Sequence, residues 1–209
     1  MAGLKIGKIT MGVAQTNCYF VYEEGKTEVL FFDPADRGDY IYQGLADNGF
    51  TVAAILLTHG HFDHIWGLER LKELSGAKVY AYEEELKLCE NARMNVSAGA
   101  GRACEITPDV LLKDGEEVMI AGIPVRVIAT PGHTAGSCCY YFEKDKILLS
   151  GDTLFEESVG RTDLPTGSMS TLVRSIREKL LVLPEDVKVY PGHGGYTTIG
   201  YEKDNNPFL

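Results

Sequence analysis

The amino-acid sequence predicts a mixed α/β chain, with two sheets packed on each other and helices over their outer faces. Three observations carry that expectation. Apolar runs of strand length recur along the chain, and Gly, Pro and Asp punctuate them. A β-rich stretch followed by a helix occurs twice, as two similar halves would read. A chain of 209 residues is long enough for one substantial core and too short for two full-sized domains, so residues 1–209 are expected to form a single domain.

The elements follow in order. Cys18 to Tyr22 and Glu28 to Phe32 read as strands joined by a turn at Glu24-Gly25-Lys26, and Asp33-Pro34 ends the second. Asp39 is a candidate N-cap for a helix running to about Asn48, with Gly49 as its stop. Val52 to Leu57 is an unbroken apolar run of strand length. Ile65, Leu68, Leu71 and Leu74 then fall at helical spacing before Gly76. Lys78 to Tyr82 reads as a short strand and Glu83 to Ala92 as a helix. Asn91 to Pro108, rich in Ala, Gly, Ser and Asn, is expected to be a loop able to cover a site. In the second half, strands are expected at Val125–Ala129, Ile147–Ser150 and Val187–Tyr190. Ser168 to Leu183 is expected to be a helix with Leu172, Val173, Ile176 and Leu180 on one face.

Composition narrows the function. With 44% hydrophobic and 24% charged residues the chain reads as an ordinary soluble globular protein. A net charge of -10 with no Lys/Arg run argues against nucleic-acid partners. Neither a signal core in Met1 to Thr10 nor an apolar stretch of membrane-spanning length stands in the sequence, so no membrane association and a cytoplasmic location are expected. Five cysteines, an odd number without Cys-x-x-Cys, argue against a disulfide framework. Cys138-Cys139 sits inside the apolar stretch Ser137 to Phe142, which should turn the two thiols to opposite faces of a strand as buried small hydrophobes.

The histidines carry the chemistry. There are five, and all sit in candidate ligand positions: His59, His61 and His64 in His-Gly-His-Phe-Asp-His, His133 in Thr-Pro-Gly-His, and His193 in Tyr-Pro-Gly-His-Gly. Four times an apolar strand ends in a Gly- or Asp-containing turn that presents a ligand: His59, His133, Asp152 and His193. With Asp63 the set numbers seven, too many for one catalytic zinc, which takes three protein ligands and leaves a position open. Seven divides as three, three and a bridge: His59, His61 and His133 for one ion, Asp63, His64 and His193 for a second, and Asp152 between them. Two divalent ions sharing a water would supply hydroxide at neutral pH and stabilise a developing oxyanion, which is the chemistry of acyl-bond hydrolysis. Asp63 is the candidate catalytic group that orients the hydroxide and carries its proton to the leaving group.

These residues resemble the metallo-β-lactamase superfamily, whose T-H-x-H-x-D-H mark stands at Thr58 to His64. Further matches are Thr130-Pro131-Gly132-His133-Thr134-Ala135-Gly136-Ser137, Gly151-Asp152-Thr153-Leu154-Phe155 and Pro191-Gly192-His193-Gly194. The resemblance covers nearly the whole chain and implies a four-layer αββα sandwich with the metals at one edge of the two sheets. Within the superfamily the chain looks most like the short bacterial type of glyoxalase II, on Gly160-Arg161-Thr162-Asp163 and the ending from Thr197 to Leu209. That likeness implies hydrolysis of an acyl-thiol such as S-D-lactoylglutathione through a metal-bridging hydroxide. It implies two divalent ions, with zinc favoured over iron or manganese.

Two departures bear on the substrate. Longer glyoxalase II enzymes carry a C-terminal helical segment with basic residues for glutathione, whereas this sequence stops at Leu209. Asp163 stands where those enzymes place a tyrosine. Arg161 remains a candidate for a substrate carboxylate, or the partner of Asp163 in a structural ion pair. Asn17, Arg93 and Arg102 are candidates to line the cleft.

Three rival readings remain. Persulfide dioxygenases of the superfamily share Gly-Arg-Thr-Asp and the same ligand run yet hold one iron, for which His59, His133 and Asp152 could serve. Lactonases use the same histidine cluster, whereas β-lactamases usually replace His64 and carry a cysteine ligand. Nucleases of the superfamily carry a further large domain. A non-enzymatic metal-binding or redox-sensing module is the third reading.

Overall fold

In the computed structural model, which describes residues 3–209, two six-stranded sheets lie face to face with helices on their outer sides. The first sheet keeps chain order: β1 (Leu4–Met11), β2 (Thr16–Glu23), β3 (Glu28–Phe32), β4 (Thr51–Leu56), β5 (Lys78–Tyr82) and β6 (Val110–Leu112). Its first three strands are antiparallel and β3 to β6 run parallel. The second sheet contains β7 (Glu117–Ile120), β8 (Ile123–Ala129), β9 (Cys138–Phe142) and β10 (Ile147–Gly151). A two-stranded ribbon of β11 (Leu154–Phe155) and β12 (Ser158–Val159) follows, and β13 (Lys188–Pro191) and β14 (Thr197–Thr198) complete the sheet. Its order is β14-β13-β10-β9-β8-β7.

Period-two alternation explains the layering. From β3, Val29 and Phe31 point to the outer helices, while Leu30 and Phe32 point between the sheets. Across that interface Phe32 meets Tyr140 at 5.4 Å between ring centres, and the Tyr140 hydroxyl donates to Leu57 O at 2.8 Å. The outer layers are α1 (Gly38–Asp47) and α3 (Leu68–Ser75), whose Ile41, Leu45, Leu68 and Leu71 cover the first sheet. On the second sheet lie Leu172, Ile176, Leu180 and Ile199. A central strand buried on both faces reads as a continuous apolar run, which is how β4 announces itself. Cys138 faces the sheet interface and Cys139 the outer helices, the opposite orientations that adjacency predicts.

Several expected elements differ in detail. β1, β6 and β7 go unread in the sequence. β1 is a half-exposed edge strand in which Lys5, Gly7 and Lys8 dilute the apolar pattern. A Cβ at Gly7 would lie 2.1 Å from the tip of the Phe20 ring, so a larger residue there would displace that ring. The helix expected from Ile65 is split into α2 (Phe62–Ile65) and α3, where Gly67 N–H leaves the helical ladder to donate to Pro34 O at 2.8 Å, an approach too close for any Cβ. The helix expected at Glu83 to Ala92 is a 3-10 turn, Glu83–Glu85, followed by the single turn α4 (Leu86–Cys89). The long second-half helix is α5 (Met169–Ser175) running on as a π-helical turn, Ile176–Leu180; α6 (Ile199–Asn205) comes last. Asp39 lies in the first turn of α1 rather than capping it; the N-cap position is Arg37, without a side-chain cap. Among the described residues no helix is long and apolar enough to cross a membrane.

Strand direction positions the site. β8 and β10 are each antiparallel to β9, and β10 is parallel to β13, so these three strands end at the same edge of the second sheet. The chain leaves β4 for its histidine loop at the facing edge of the first: Cys138 N–H donates to Thr58 O at 2.9 Å, and Asn17 N–H to Gly192 O at 2.7 Å.

Candidate metal centre

All seven predicted ligands meet at this edge. His59 follows β4, His61 N-caps α2, and the first turn of α2 carries Asp63 and His64. His133, Asp152 and His193 follow β8, β10 and β13. Three sets of three ligand atoms each lie within 4.8 Å of one another: His59, His61 and His133; His59, His64 and Asp152; Asp63, His64 and His193. Asp152 faces both ways. Its Oδ1 lies 3.4 Å from His64 Nε2, and its Oδ2 lies 3.4 Å from His193 Nε2 and 3.7 Å from His133 Nε2. Asp63 Oδ2 lies 3.4 Å from His193 Nε2 and 3.9 Å from His64 Nε2.

Hydrogen bonds behind the rings determine which nitrogen faces inward. Arg161 O can only accept, so His133 Nδ1, 2.7 Å away, carries the proton and Nε2 presents a lone pair. Thr58 spends its hydroxyl hydrogen on Asp33 Oδ2 at 2.7 Å, so it accepts from His59 Nδ1 at 3.2 Å. His59 Nε2 therefore also presents a lone pair. These two lone-pair nitrogens face each other at 3.2 Å, and His61 Nδ1 lies 2.9 Å from His133 Nε2. Lone pairs that converge repel unless a cation stands between them. The spacing is close to the roughly 3.3 Å edge of a tetrahedron with metal–nitrogen bonds of about 2.0 Å.

A second observation agrees. Buried polar groups are nearly always satisfied, yet His64 Nε2 and Asp152 Oδ1, 3.4 Å apart within the cluster, are buried without a hydrogen-bond partner, as are His61 Nε2 and His64 Nδ1 on the far sides of their rings. His64 Nδ1 is 3.1 Å from Asp33 Oδ2 but out of line for a hydrogen bond. The donor set thus fits divalent metal ions, bound through imidazole nitrogens and carboxylates.

The electrostatics separate the cluster. Burial, helped by the neighbouring histidines, holds His59 well below the ordinary imidazole range and His61 down at about 3. Burial also opposes charge on His64 and His193, but the facing aspartates win. Asp152, Asp63 and Asp33 raise His64 well above its ordinary value, and hydrogen bonds to Asp152 and Asp63 bring His193 to about 9. Burial acts against ionised Asp152 and Asp63 too, yet the facing histidines hold both below the usual carboxylate range. Positive charge is therefore favoured beside the carboxylates, while burial keeps His59 and His61 neutral.

Glycine makes the convergence possible at two points. A Cβ on Gly192 would lie 2.3 Å from Asp152 Oδ1 and 2.8 Å from His64 Cε1, and one on Gly160 would lie 1.8 Å from Asp152 O.

The ligands open onto a cleft of about 420 Å³. His61, Asp63, His133, Asp152 and His193 form its floor, and Ala14, Phe62, Phe155, Val159 and Leu164 contribute apolar walls. Arg161 stands at its rim, 63% exposed, in a two-pronged ion pair with Asp163 at 2.7 and 2.8 Å.

The other predicted contacts lie outside the cleft lining. Asn17 is buried: its amide donates to Pro191 O and Gly194 O, both at 3.0 Å, and accepts from Thr10. It secures the His193 turn instead of facing a substrate. Arg102 stacks on Trp66, 5.0 Å from the ring centre, and pairs with Asp36 at 3.2 Å. The Asn91 to Pro108 loop, with Arg93 in it, also lies outside the lining; Asn95 O accepts from Phe62 N–H at 3.0 Å. Sequence reasoning passed over Asp33, which ends an apolar strand just as the ligands do. It also passed over Leu164 and Val159, which carry no sequence signal of a site.

The family described as the Metallo-beta-lactamase superfamily matches residues 11–193. Probable metallo-hydrolase YqgX of Bacillus subtilis (strain 168) is 40% identical over 99% of this chain and 98% of its own length. Hydroxyacylglutathione hydrolase GloC of Haemophilus influenzae is 34% identical over the same shares. Among solved structures, BLEG-1 B3 metallo-beta-lactamase superposes with a TM-score of 0.93 at 39% identity, over 98% of this chain and 99% of that one. A di-iron-bound form of TTHA1623 gives 0.87 at 34% identity, over 97% and 100%.

Proposed function

The chain belongs to the metallo-beta-lactamase superfamily as a metal-dependent hydrolase, and from that premise we propose that it cleaves the thioester of a small hydroxyacyl thiol such as S-D-lactoylglutathione. The observation that carries the reading is the convergence of seven candidate ligands, five of them on the floor of one cleft with apolar walls and Arg161 at its rim. The likeness to GloC, a hydroxyacylglutathione hydrolase by name, supports the thioester over other acyl bonds.

His59, His61 and His133 would hold one ion and Asp63, His64 and His193 the other, with Asp152 shared. Zinc is favoured, and the di-iron form of TTHA1623 keeps iron in play. Such ions, when bound, polarise an acyl carbonyl and lower the pKa of water towards neutrality. The chain's own groups do the rest. Asp63, ionised at neutral pH, orients the attacking water and takes its proton at a carboxylate oxygen. The acyl carbon–sulfur bond breaks as the water oxygen bonds to that carbon. The proton then passes from Asp63 to the departing sulfur, leaving a carboxylic acid and a thiol. Phe62, Phe155, Val159 and Leu164 shield the acyl group from bulk water. Arg161 would exchange Asp163 for a substrate carboxylate.

A second reading, opening of a β-lactam, draws on the likeness to BLEG-1 even though His64 is present. The deciding experiment is thiol release from S-D-lactoylglutathione by the zinc-reloaded protein, expected to be robust and lost in Asp63→Ala. No release with metal fully bound would overturn the thioester reading. β-Lactam opening, or oxygen uptake with glutathione persulfide by the iron-loaded protein, would then mark the replacement.

A further inference from the structure

Behind the ligands, a buried carboxylate that the chemistry above does not use joins the two halves of the molecule. Glu85 closes the 3-10 turn after β5 and is 1% exposed. Three donors converge on it. Gly60 N–H donates to Oε1 at 2.7 Å, and Thr134 Oγ1 and Gly136 N–H donate to Oε2 at 2.9 and 3.0 Å. Gly60 lies between His59 and His61, and Thr134 follows His133. One carboxylate thus grips both loops that supply the three-histidine set, one loop from each sheet.

The grip is close-fitting and has no cation behind it. A Cβ on Gly136 would lie 2.2 Å from Glu85 N, and one on Gly60 would lie 2.7 Å from Cys89 Sγ. Among the described residues no Lys, Arg or His pairs with Glu85 within 4.0 Å. A buried carboxylate is costly without compensating partners, and here these are the three donors on the two loops. Asp33, the other carboxylate behind the ligands, bonds instead to Thr58, within the first half alone. None of the partners of Glu85 adjoins Asp63, His64 or His193.

We propose that Glu85 is a positioning residue, a strut across the sheet interface that sets the separation of His59 and His61 from His133 and so governs the affinity of that metal position separately from the other. This rests on the reading of the seven residues as ligands of two ions.

Glu85→Gln tests it with almost no change in shape. An amide offers one acceptor oxygen and one donor nitrogen, so either Gly60 N–H or Gly136 N–H loses its acceptor. Stepwise zinc affinities, read by chelator competition, are compared with the cobalt-substituted absorption spectrum and with melting in chelator. Wild type should bind two equivalents. Glu85→Gln should weaken one of them by about 10–100-fold, the usual cost of losing an outer hydrogen-bond partner. It should leave the other unchanged and alter the cobalt bands of the weakened position alone. Thr134→Val, which removes one of the three bonds, should weaken the same ion less, and Thr134→Ser should restore it. Two tight equivalents in Glu85→Gln would overturn the proposal, as would parallel weakening of both with a matching fall in chelator melting. Should Glu85→Gln not fold, Thr134→Val decides: weakening of one ion supports the strut and no weakening overturns it. Wild type binding fewer than two equivalents would remove the ligand reading, and the proposal with it.

Discussion

The two halves of the molecule supply the candidate metal centre in different ways. The first half offers four candidate ligands within six consecutive residues, His59 to His64, held mostly by bonds within that half: Thr58 to Asp33, Gly60 N–H to Glu85, Phe62 N–H to Asn95 O at 3.0 Å and His64 N–H to His61 O at 2.9 Å. The second half offers His133, Asp152 and His193 from three separate strand ends, held by bonds between distant segments. Gly192 N–H donates to Gly151 O at 2.8 Å, Thr130 and Thr153 share a hydroxyl bond at 2.8 Å, and Asn17 ties the His193 turn to the first sheet. Four candidates on one short loop share a backbone whose spacing is set by sequence, whereas dispersed ones depend on sheet register and close backbone approach. The second half should therefore be the more fragile.

The sharpest way to break that comparison is a pair of glycine substitutions. Gly192→Ala drives a Cβ into Asp152 and His64, two ligands in one step, whereas Gly60→Ala meets only the side chains of Cys89 and Leu88 first. Misplacing reacting groups by about 1 Å costs on the order of 100-fold, so Gly192→Ala should lower kcat/KM by about 10²–10³-fold and release zinc, with a smaller loss for Gly60→Ala. The reverse order, measured by kinetics and metal analysis, would mean that the contiguous loop is the weaker half.

Next comes the pH dependence at the junction of the halves. Burial pushes the Glu85 carboxyl up from 4.5 to about 7, against the hydrogen bonds from Gly60, Thr134 and Gly136. Between those values the folded protein keeps a proton that the unfolded chain has lost, so this group's contribution to stability falls as pH rises through the window. In chelator, the unfolding free energy of wild type relative to Glu85→Gln should fall by on the order of 3 kcal/mol from pH 4 to pH 8. Denaturant melts across that range measure it. A flat difference would show that the three donors offset burial, so that the carboxyl titrates alike in the folded and unfolded chain; a difference that rises with pH would show that they hold it ionised below its ordinary range.

The smallest of these effects belongs to Asn17. Asn17→Ala removes one buried and one partly buried bond to the His193 turn, at a cost of about 2 kcal/mol in stability. Metal loss should begin at the position served by Asp63, His64 and His193. Unchanged zinc affinity with lowered stability would make Asn17 a packing residue alone.

Much of this centre was legible in the sequence because its signals are local. Five histidines, each in a ligand motif or beside a glycine, stand out whatever the fold, and His59 to His64 is read directly from spacing. The central strands declared themselves as apolar runs, whereas β1, with its lysines and Gly7, and the short β6 and β7 did not. Asn17 and Arg102 show where local reading fails. Both look like polar loop residues free to meet a substrate, yet one is consumed by the backbone of a turn far along the chain and the other by Trp66. Glu85 sits in Glu83-Glu84-Glu85 at the start of the helix expected over Glu83 to Ala92, and only the turn after β5 takes the third carboxylate inside.

The sequence by itself determined the ligand types, their spacing in the first half, and the class of chemistry, because donor atoms and chain-local geometry are written residue by residue. Only the tertiary structure decided that β8, β10 and β13 end at one edge facing the end of β4, which nitrogen of His59 and His133 looks inward, and which carboxylates stand behind them. Those outcomes depend on hydrogen bonds between segments far apart in the chain, and such pairings are set by register and packing that no local pattern records.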